Sequence, residues 1–179
     1  MKTILAISLV ALSMLFTGVI ALAGDFYVVP IKPQFKSWDT KIDDTSRFKL
    51  VLDGEAVLDR ETGLVWEKSP YAGTMSWATA AYTCYGQVIG ERRGWRLPTI
   101  EEFSSLIDDN QSNPTLPNNH PFENLYNDYY WSITSSPFNS SSALVIDLGT
   151  GGFTNAPKSN EGLHRWCVRG GYGHDPMAP

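Results

Sequence analysis

Cys84 and Cys167 are the two cysteines of this 179-residue chain and the first residues whose type could do chemistry. A reactive or metal-bound thiol is usually accompanied by a CxxC motif or a His-rich partner, and the chain has neither. In an exported protein an even pair is most simply a disulfide. Closing so large a loop would stabilise the fold by about 4–5 kcal/mol in the chain-entropy account, less any native-state strain. His120, His164 and His174 lack the spacing of a metal-binding helix, so no metal and no cofactor is expected. The acids Glu101-Glu102 and Asp108-Asp109 look like pairs for general acid–base work. Yet Glu102 stands three residues after Thr99, which is the spacing of a helix capping box. Glu101 then favours the positive end of the helix dipole. The chain has no Gly-x-Ser-x-Gly elbow and no phosphate loop, and no residue is assigned a catalytic role.

The elements that must position these residues follow an apolar start. Lys2, the uncharged run at residues 4–20 and Ala21-Leu22-Ala23 form the pattern of a signal peptide over residues 1–23, cleaved after Ala23. An uncleaved anchor is the alternative, since about 18 apolar residues suffice to span a bilayer. No Cys follows the cleavage site and no twin-Arg pair precedes it. The expectation is a secreted or periplasmic protein of a bacterial envelope, with no membrane span after cleavage. Removing Lys2 with the signal takes the net charge from −5 to −6. An acidic domain of this size is not read as a nucleic-acid binder. The remaining 156 residues suit one domain with a real core.

Residues 24–46, with Pro30 and Pro33, read as a linker or amino-terminal arm with one short strand at residues 26–29. The domain is placed at residues 47–170 and a Gly- and Pro-rich tail at 171–179. Phe48, Leu50 and Leu52 alternate as in a strand, and Asp53-Gly54 signals a hairpin turn. Residues 56–58 are the return strand. Asp59-Arg60-Glu61-Thr62-Gly63 is a second turn, with Gly63 free to take positive φ, and Leu64-Val65-Trp66 a further strand. Residues 76–86 read as a helix, Ser76 as N-cap and Gly86 as the C′ residue. Its buried stripe is Trp77, Ala80, Ala81 and Cys84. The second helix starts at Thr99 and buries Ile100, Phe103, Leu106 and Ile107. Residues 129–133, 143–148 and 165–169 are strands, the last carrying Cys167. Residues 110–127 and 135–142 are polar, turn-rich loops. The order is that of an α+β fold.

Several of these pieces together resemble the DUF1566 family, also called the Lcl C-terminal domain family after a collagen-like adhesin. They are Asp59-Arg60-Glu61-Thr62-Gly63-Leu64-Val65-Trp66, Trp77 with Ala80 and Ala81, Trp95-Arg96-Leu97-Pro98-Thr99 with Glu102, Tyr130-Trp131-Ser132, and Cys167-Val168-Arg169-Gly170. The resemblance implies a C-type lectin-like fold, with two helices packed on short antiparallel sheets and long loops. That fold is related to the formylglycine-generating enzymes. It also implies a bridge from the first helix to the last strand, the places of Cys84 and Cys167. Formylglycine-generating chemistry uses cysteines, and here both are explained by a bridge. The Glu-Pro-Asn and Trp-Asn-Asp motifs of calcium-dependent sugar binders are absent. The adhesin that names the family binds sulfated polysaccharides, whereas this chain is acidic.

The expected function is a non-catalytic exported recognition domain for a glycan or a cell-surface protein. Its binding residues would be Phe122, Tyr126, Asn127, Asp128, Tyr129 and Phe138, aromatics set among polar loop residues. Trp66, Trp77, Trp95, Arg96, Thr99, Glu102 and Trp131 are assigned to structure rather than to ligand. Two alternatives stand beside this. One is an enzyme related to sulfatase-modifying factors. The other is an accessory subunit of an envelope or surface assembly, docked through residues 24–46.

Overall fold

The computed structural model describes residues 21–22, 25–26, 42 and 44–170. The expected cleavage point, most of the signal segment, most of the arm, the tail and His174 lie outside the described residues. The chain divides into Met1–Phe35 and Lys36–Pro179. In the first unit, β1 (Ala21–Leu22) and β2 (Asp25–Phe26) pair antiparallel, Ala21 opposite Phe26.

In the second unit, α1 (Asp44–Arg47) leads into β3 (Phe48–Val51), which pairs antiparallel with β4 (Ala56–Asp59). The expected Asp-Gly turn is there, but Val51 faces Ala56 across a four-residue loop, Leu52 to Glu55, rather than a two-residue hairpin. Leu52, Asp53 and Gly54 all take positive φ, at 53°, 55° and 85°. Glycine adopts such values freely, and Asp more readily than most side chains. β5 (Val65–Glu67) pairs with β4 on one side and with β11 (Val168–Arg169) on the other. This gives a four-stranded sheet in the order β11-β5-β4-β3. The turn into β5 is organised by Asp59. Its carboxylate accepts from Glu61 N and Thr62 Oγ1, both at 3.0 Å, and from Arg47 Nε at 3.1 Å. Gly63 takes the positive φ, 76°, that this turn requires.

The second sheet has the order β6-β10-β7-β8-β9. Its strands are β6 (Thr74–Met75), β7 (Tyr129–Ser135), β8 (Ser142–Asp147), β9 (Phe153–Pro157) and β10 (Leu163–His164). Its pairings are antiparallel except that His164 of β10 lies parallel to Tyr130 of β7, so the sheets are not wholly antiparallel as expected. The strand expected over residues 165–169 is confined to Val168–Arg169, and β10 ends before that range at His164. The chain leaves the second sheet after His164 and enters the first at Val168. Between them Glu67 holds the crossing segment. Its backbone oxygen accepts from Trp166 Nε1 at 2.7 Å, and its N–H donates to Cys167 O at 3.0 Å.

Two helices pack on these sheets. α2 (Trp77–Gly86) begins after Ser76, which sits in the N-cap conformation but bonds Thr79 Oγ1 rather than a backbone N–H. Gly86 is the last helical residue and not a left-handed C′ residue. Gln87 N–H closes the end on Cys84 O at 3.0 Å, and the chain departs extended. α3 (Ile100–Ser104) is shorter than the apolar stripe predicts. Ser104 and Ser105 hydroxyls bind the carbonyls of Ile100 and Glu102, and Asp108 N–H is taken by Thr115 O across the following loop. Leu106 is nonetheless buried, as the stripe requires.

Because successive strand side chains point to opposite faces, buried neighbours feed two separate cores. Val57, Trp66, Phe103, Tyr130, Trp166 and Val168 belong to one. Ala56, Cys84, Trp95, Leu97, Trp131 and Cys167 belong to the other. The disulfide Cys84–Cys167 lies in the second core, with its Cα atoms 5.5 Å apart and both residues fully buried. It joins α2 to the crossing segment. Thiol labelling of the unfolded, unreduced protein is therefore expected to find no free thiol. The Cys84→Ser, Cys167→Ser double variant is expected to lose about 2–5 kcal/mol in denaturant unfolding. Labelling of both cysteines would refute the bridge.

Candidate functional site

The segment Trp95-Arg96-Leu97-Pro98-Thr99 is a clamp between elements. Arg96 exchanges both backbone hydrogen bonds with Val168 at 2.9 Å, and Ile133 N–H donates to Pro98 O at 2.8 Å. Thr99 Oγ1 accepts from Glu102 N, and Glu102 Oε2 accepts from Thr99 N, so the capping box is complete. Arg96 grips the same carboxylate with both Nη atoms at 2.7 Å and also donates to Gly170 O at 3.0 Å. All of these groups are used within the scaffold. Trp66, Trp95 and Trp131 are wholly buried. Trp77 is half-buried, its Nε1 donating to Ser132 O and Lys158 lying 4.3 Å over its ring.

The six loop residues expected to bind ligand do not form one surface. Phe122 is core: only 6 % exposed, it meets the Trp166 ring edge-on at 4.8 Å and the Phe48 ring at 5.3 Å. Its run of Asn and Pro neighbours hides this, because it has no periodic partner in sequence. Phe138 is 91 % exposed, in the turn joining β7 to β8. Tyr129 stands at the other end of β7, about 20 Å away at the usual rise per strand residue. Tyr126, Asn127, Asp128 and Tyr129 do gather at that far end. Tyr126 stacks on His164 at 4.7 Å, Asp128 O accepts from Leu148 N, and Asp128 Oδ2 is 3.8 Å from His164 Nε2. Beneath them, buried Tyr130 accepts Tyr126 N–H on its hydroxyl at 2.8 Å.

A concave site lies elsewhere, between α2, β6 and the crossing segment. It is a cleft of about 680 Å³, within the usual range for small-ligand sites. Tyr82 and Tyr85 are neighbours on one face of α2, each 77 % exposed, and Tyr71 on the facing loop is 54 % exposed. None of the three phenol hydroxyls has a hydrogen-bond partner among the described residues. Tyr71 is folded over its own loop because Gly73 has no side chain; a Cβ there would overlap the ring. Thr74, Thr79, Thr83 and Gln87 supply the polar part of the wall. The floor is Arg165, which is buried, 5.6 Å from the Tyr71 ring, and paired with Glu67 Oε2 at 2.9 Å. The same Nη1 reaches Cys167 Sγ at 2.8 Å, while its Nε is buried with no partner among the described residues. Burial pushes the Glu67 carboxyl above its usual range, and Arg165 pulls it back only in part. The sequence did hold a signal for this site. Tyr82 and Tyr85 fall outside the buried stripe of α2, on a face that should be polar.

The chain belongs to the Lcl C-terminal domain family, whose model matches residues 55–169. No match to an individual curated protein accompanies it. The matched span covers α2, the clamp, both sheets except β3, and every residue of the cleft.

Burial raises the Tyr130 phenol to about 12, with Asp128 adding to the effect and the Tyr126 N–H opposing it. The folded state then holds this proton more tightly than the unfolded chain, whose phenols titrate near 10. The stability it contributes is full below about pH 10 and is lost as pH rises toward about 12. The loss should amount to about 2–3 kcal/mol. Denaturant unfolding at pH 9 to 12 is expected to show this component in the wild type and not in Tyr130→Phe. Equal slopes for the two would overturn the assignment.

Proposed function

We propose that the protein is an exported, non-catalytic recognition domain that takes a glycan or a protein surface into the tyrosine cleft. The observation that carries this reading is three exposed tyrosines, whose hydroxyls have no partner among the described residues, converging on one concave wall. Large exposed aromatics grouped in this way favour binding, whereas scattered ones need no explanation. The disulfide supports export, since such bridges persist in oxidising compartments. No helix among the described residues is long and apolar enough to cross a membrane. The fold reading that accompanies it is C-type lectin-like. It is favoured by the return of the last strand to the first sheet and by the bridge from α2 to the residue before that strand. The enzyme alternative needs a reactive thiol, and both cysteines are in the bridge.

Two measurements test this reading. The protein recovered from the envelope or medium of its native host is expected to begin at Gly24 by intact mass; a retained Met1 in the membrane fraction would sink the export claim. In a binding screen of immobilised glycans and surface proteins, the Tyr82→Ala, Tyr85→Ala double variant is expected to lose at least tenfold in affinity, about 1.4 kcal/mol. Its melting temperature should be unchanged. Binding that survives these changes but falls with Tyr126→Ala or Tyr129→Ala would move the site to the far end of β7.

A further inference from the structure

We infer that the ligand of the cleft is an uncharged oligosaccharide segment, an inference that rests on the cleft being the recognition site. A pyranose presents a flat face of C–H groups bordered by a rim of hydroxyls. Tyr71, Tyr82 and Tyr85 offer aromatic faces of matching chemistry, each with a polar tip. The rim needs groups that both donate and accept, and threonine hydroxyls, phenols and an amide do both. Thr83 donates to Ala80 O at 3.0 Å and so keeps its acceptor lone pairs, and Gln87 keeps its carbonyl oxygen. The wall is thus apolar in its rings and two-way in its hydrogen bonding, as a sugar requires.

Charge selects among sugars. Arg165 is the one cation of the lining, and it is held by Glu67 at 2.9 Å. A sulfate or carboxylate would need an accessible cation that is not already neutralised; Arg165 carries Glu67 as its counter-charge, and its unpartnered Nε is buried away from solvent. The net charge of −5 further disfavours the approach of a polyanion. A flat protein partner would contact the helix face but leave the hollow between Tyr71 and Tyr85 unfilled.

The test is calorimetric titration of the full chain, disulfide intact, with hexasaccharides of two kinds. Cellohexaose, xylohexaose, mannohexaose and chitohexaose are the neutral probes; a heparin-derived hexasaccharide and hexagalacturonate are the anionic ones. At least one neutral probe is expected to bind, with an affinity that changes less than about twofold between low and high salt, since no exposed charges need screening. Tyr85→Ala should weaken it at least tenfold. Gly73→Ala should do so too, because it displaces the half-exposed Tyr71 ring without touching the core. Phe153→Ala, an exposed aromatic on β9, should change nothing. Both tyrosine-cleft variants are read beside their melting temperatures, so a folding defect cannot pass as lost binding. If only the anionic probes bind, with salt-dependent affinity that Tyr85→Ala abolishes, the cleft stands and the uncharged class is overturned. A neutral probe that binds equally to Tyr85→Ala and Gly73→Ala overturns the cleft as its site. If no neutral probe binds at millimolar concentration, the inference fails whatever the broader screen returns for the cleft.

Discussion

The carboxylate of Glu67 is the point on which the two sheets depend. Glu67 ends β5, and its side chain accepts from Arg165 and the Cys167 N–H of the crossing segment and from Gln87 just after α2. Its backbone meanwhile holds Cys167 and the Trp166 indole. A buried ion pair adds little net stability compared with apolar residues of the same volume, yet losing one partner is costly because the other charge is stranded. The value of this pair therefore lies in position. It fixes where the chain passes from β10 to β11, and with it the sulfur of Cys167. That in turn sets where α2 sits, because Cys84 is bonded to the same sulfur.

A second clamp acts at the other end of the crossing segment. Arg96 joins β11 through two backbone hydrogen bonds and α3 through the Glu102 carboxylate. Glu102 thereby satisfies a helix start and an arginine with the same two oxygens. With Glu67 on one side and Arg96 on the other, the residues from Arg165 to Gly170 are held at each end. Strands β4 and β7 lie between two cores, so sequence neighbours such as Ala56 and Val57, or Tyr130 and Trp131, are both buried. This is why Trp66 and Val57 can pack with Trp166 while their neighbours pack around the disulfide.

Local chemistry was legible in the sequence, and tertiary chemistry was not. The capping box, the Asp59 turn, the Gly63 conformation and the buried stripe of α2 depend on residues within a few positions of one another. All are present in the structure. The crossing of residues 165–167 from one sheet to the other depends on Glu67, 98 residues away from Arg165, and no periodic pattern encodes it. β6 and β10, two residues each, and the mostly exposed β9 carry too little apolar signal to be read. α3 is shorter than its apolar stripe because serine hydroxyls and a loop contact to Thr115 end it early. Among the candidate site residues, Phe122 and Phe138 sit in similar polar runs, yet one is in the core and the other in solvent. Tyr82 and Tyr85 lie off the buried stripe of their helix, and hydrophobic periodicity reports only that stripe.

On the proposed reading recognition is placed on a helix rather than on a long loop, and this has an energetic consequence. A loop must be ordered when it binds, and each immobilised side chain costs about 0.5–1.5 kcal/mol. Tyr82 and Tyr85 stand on a helix already held by a disulfide one residue before Tyr85. Their backbone is fixed before any ligand arrives, and each side chain has only two torsions to settle. Tyr71 lies on a short loop, but its ring packs over Gly73, which has no Cβ to displace it, and over the Arg165 guanidinium. The wall of the cleft is thus preorganised by the same contacts that hold the fold: Glu67 positions Arg165, Arg165 positions Tyr71, and the bridge positions α2. If the cleft is the recognition site we propose, stability and recognition share one set of interactions, so damage to the Glu67 hub would loosen the cleft and the fold together, while changes to the exposed rings separate the two.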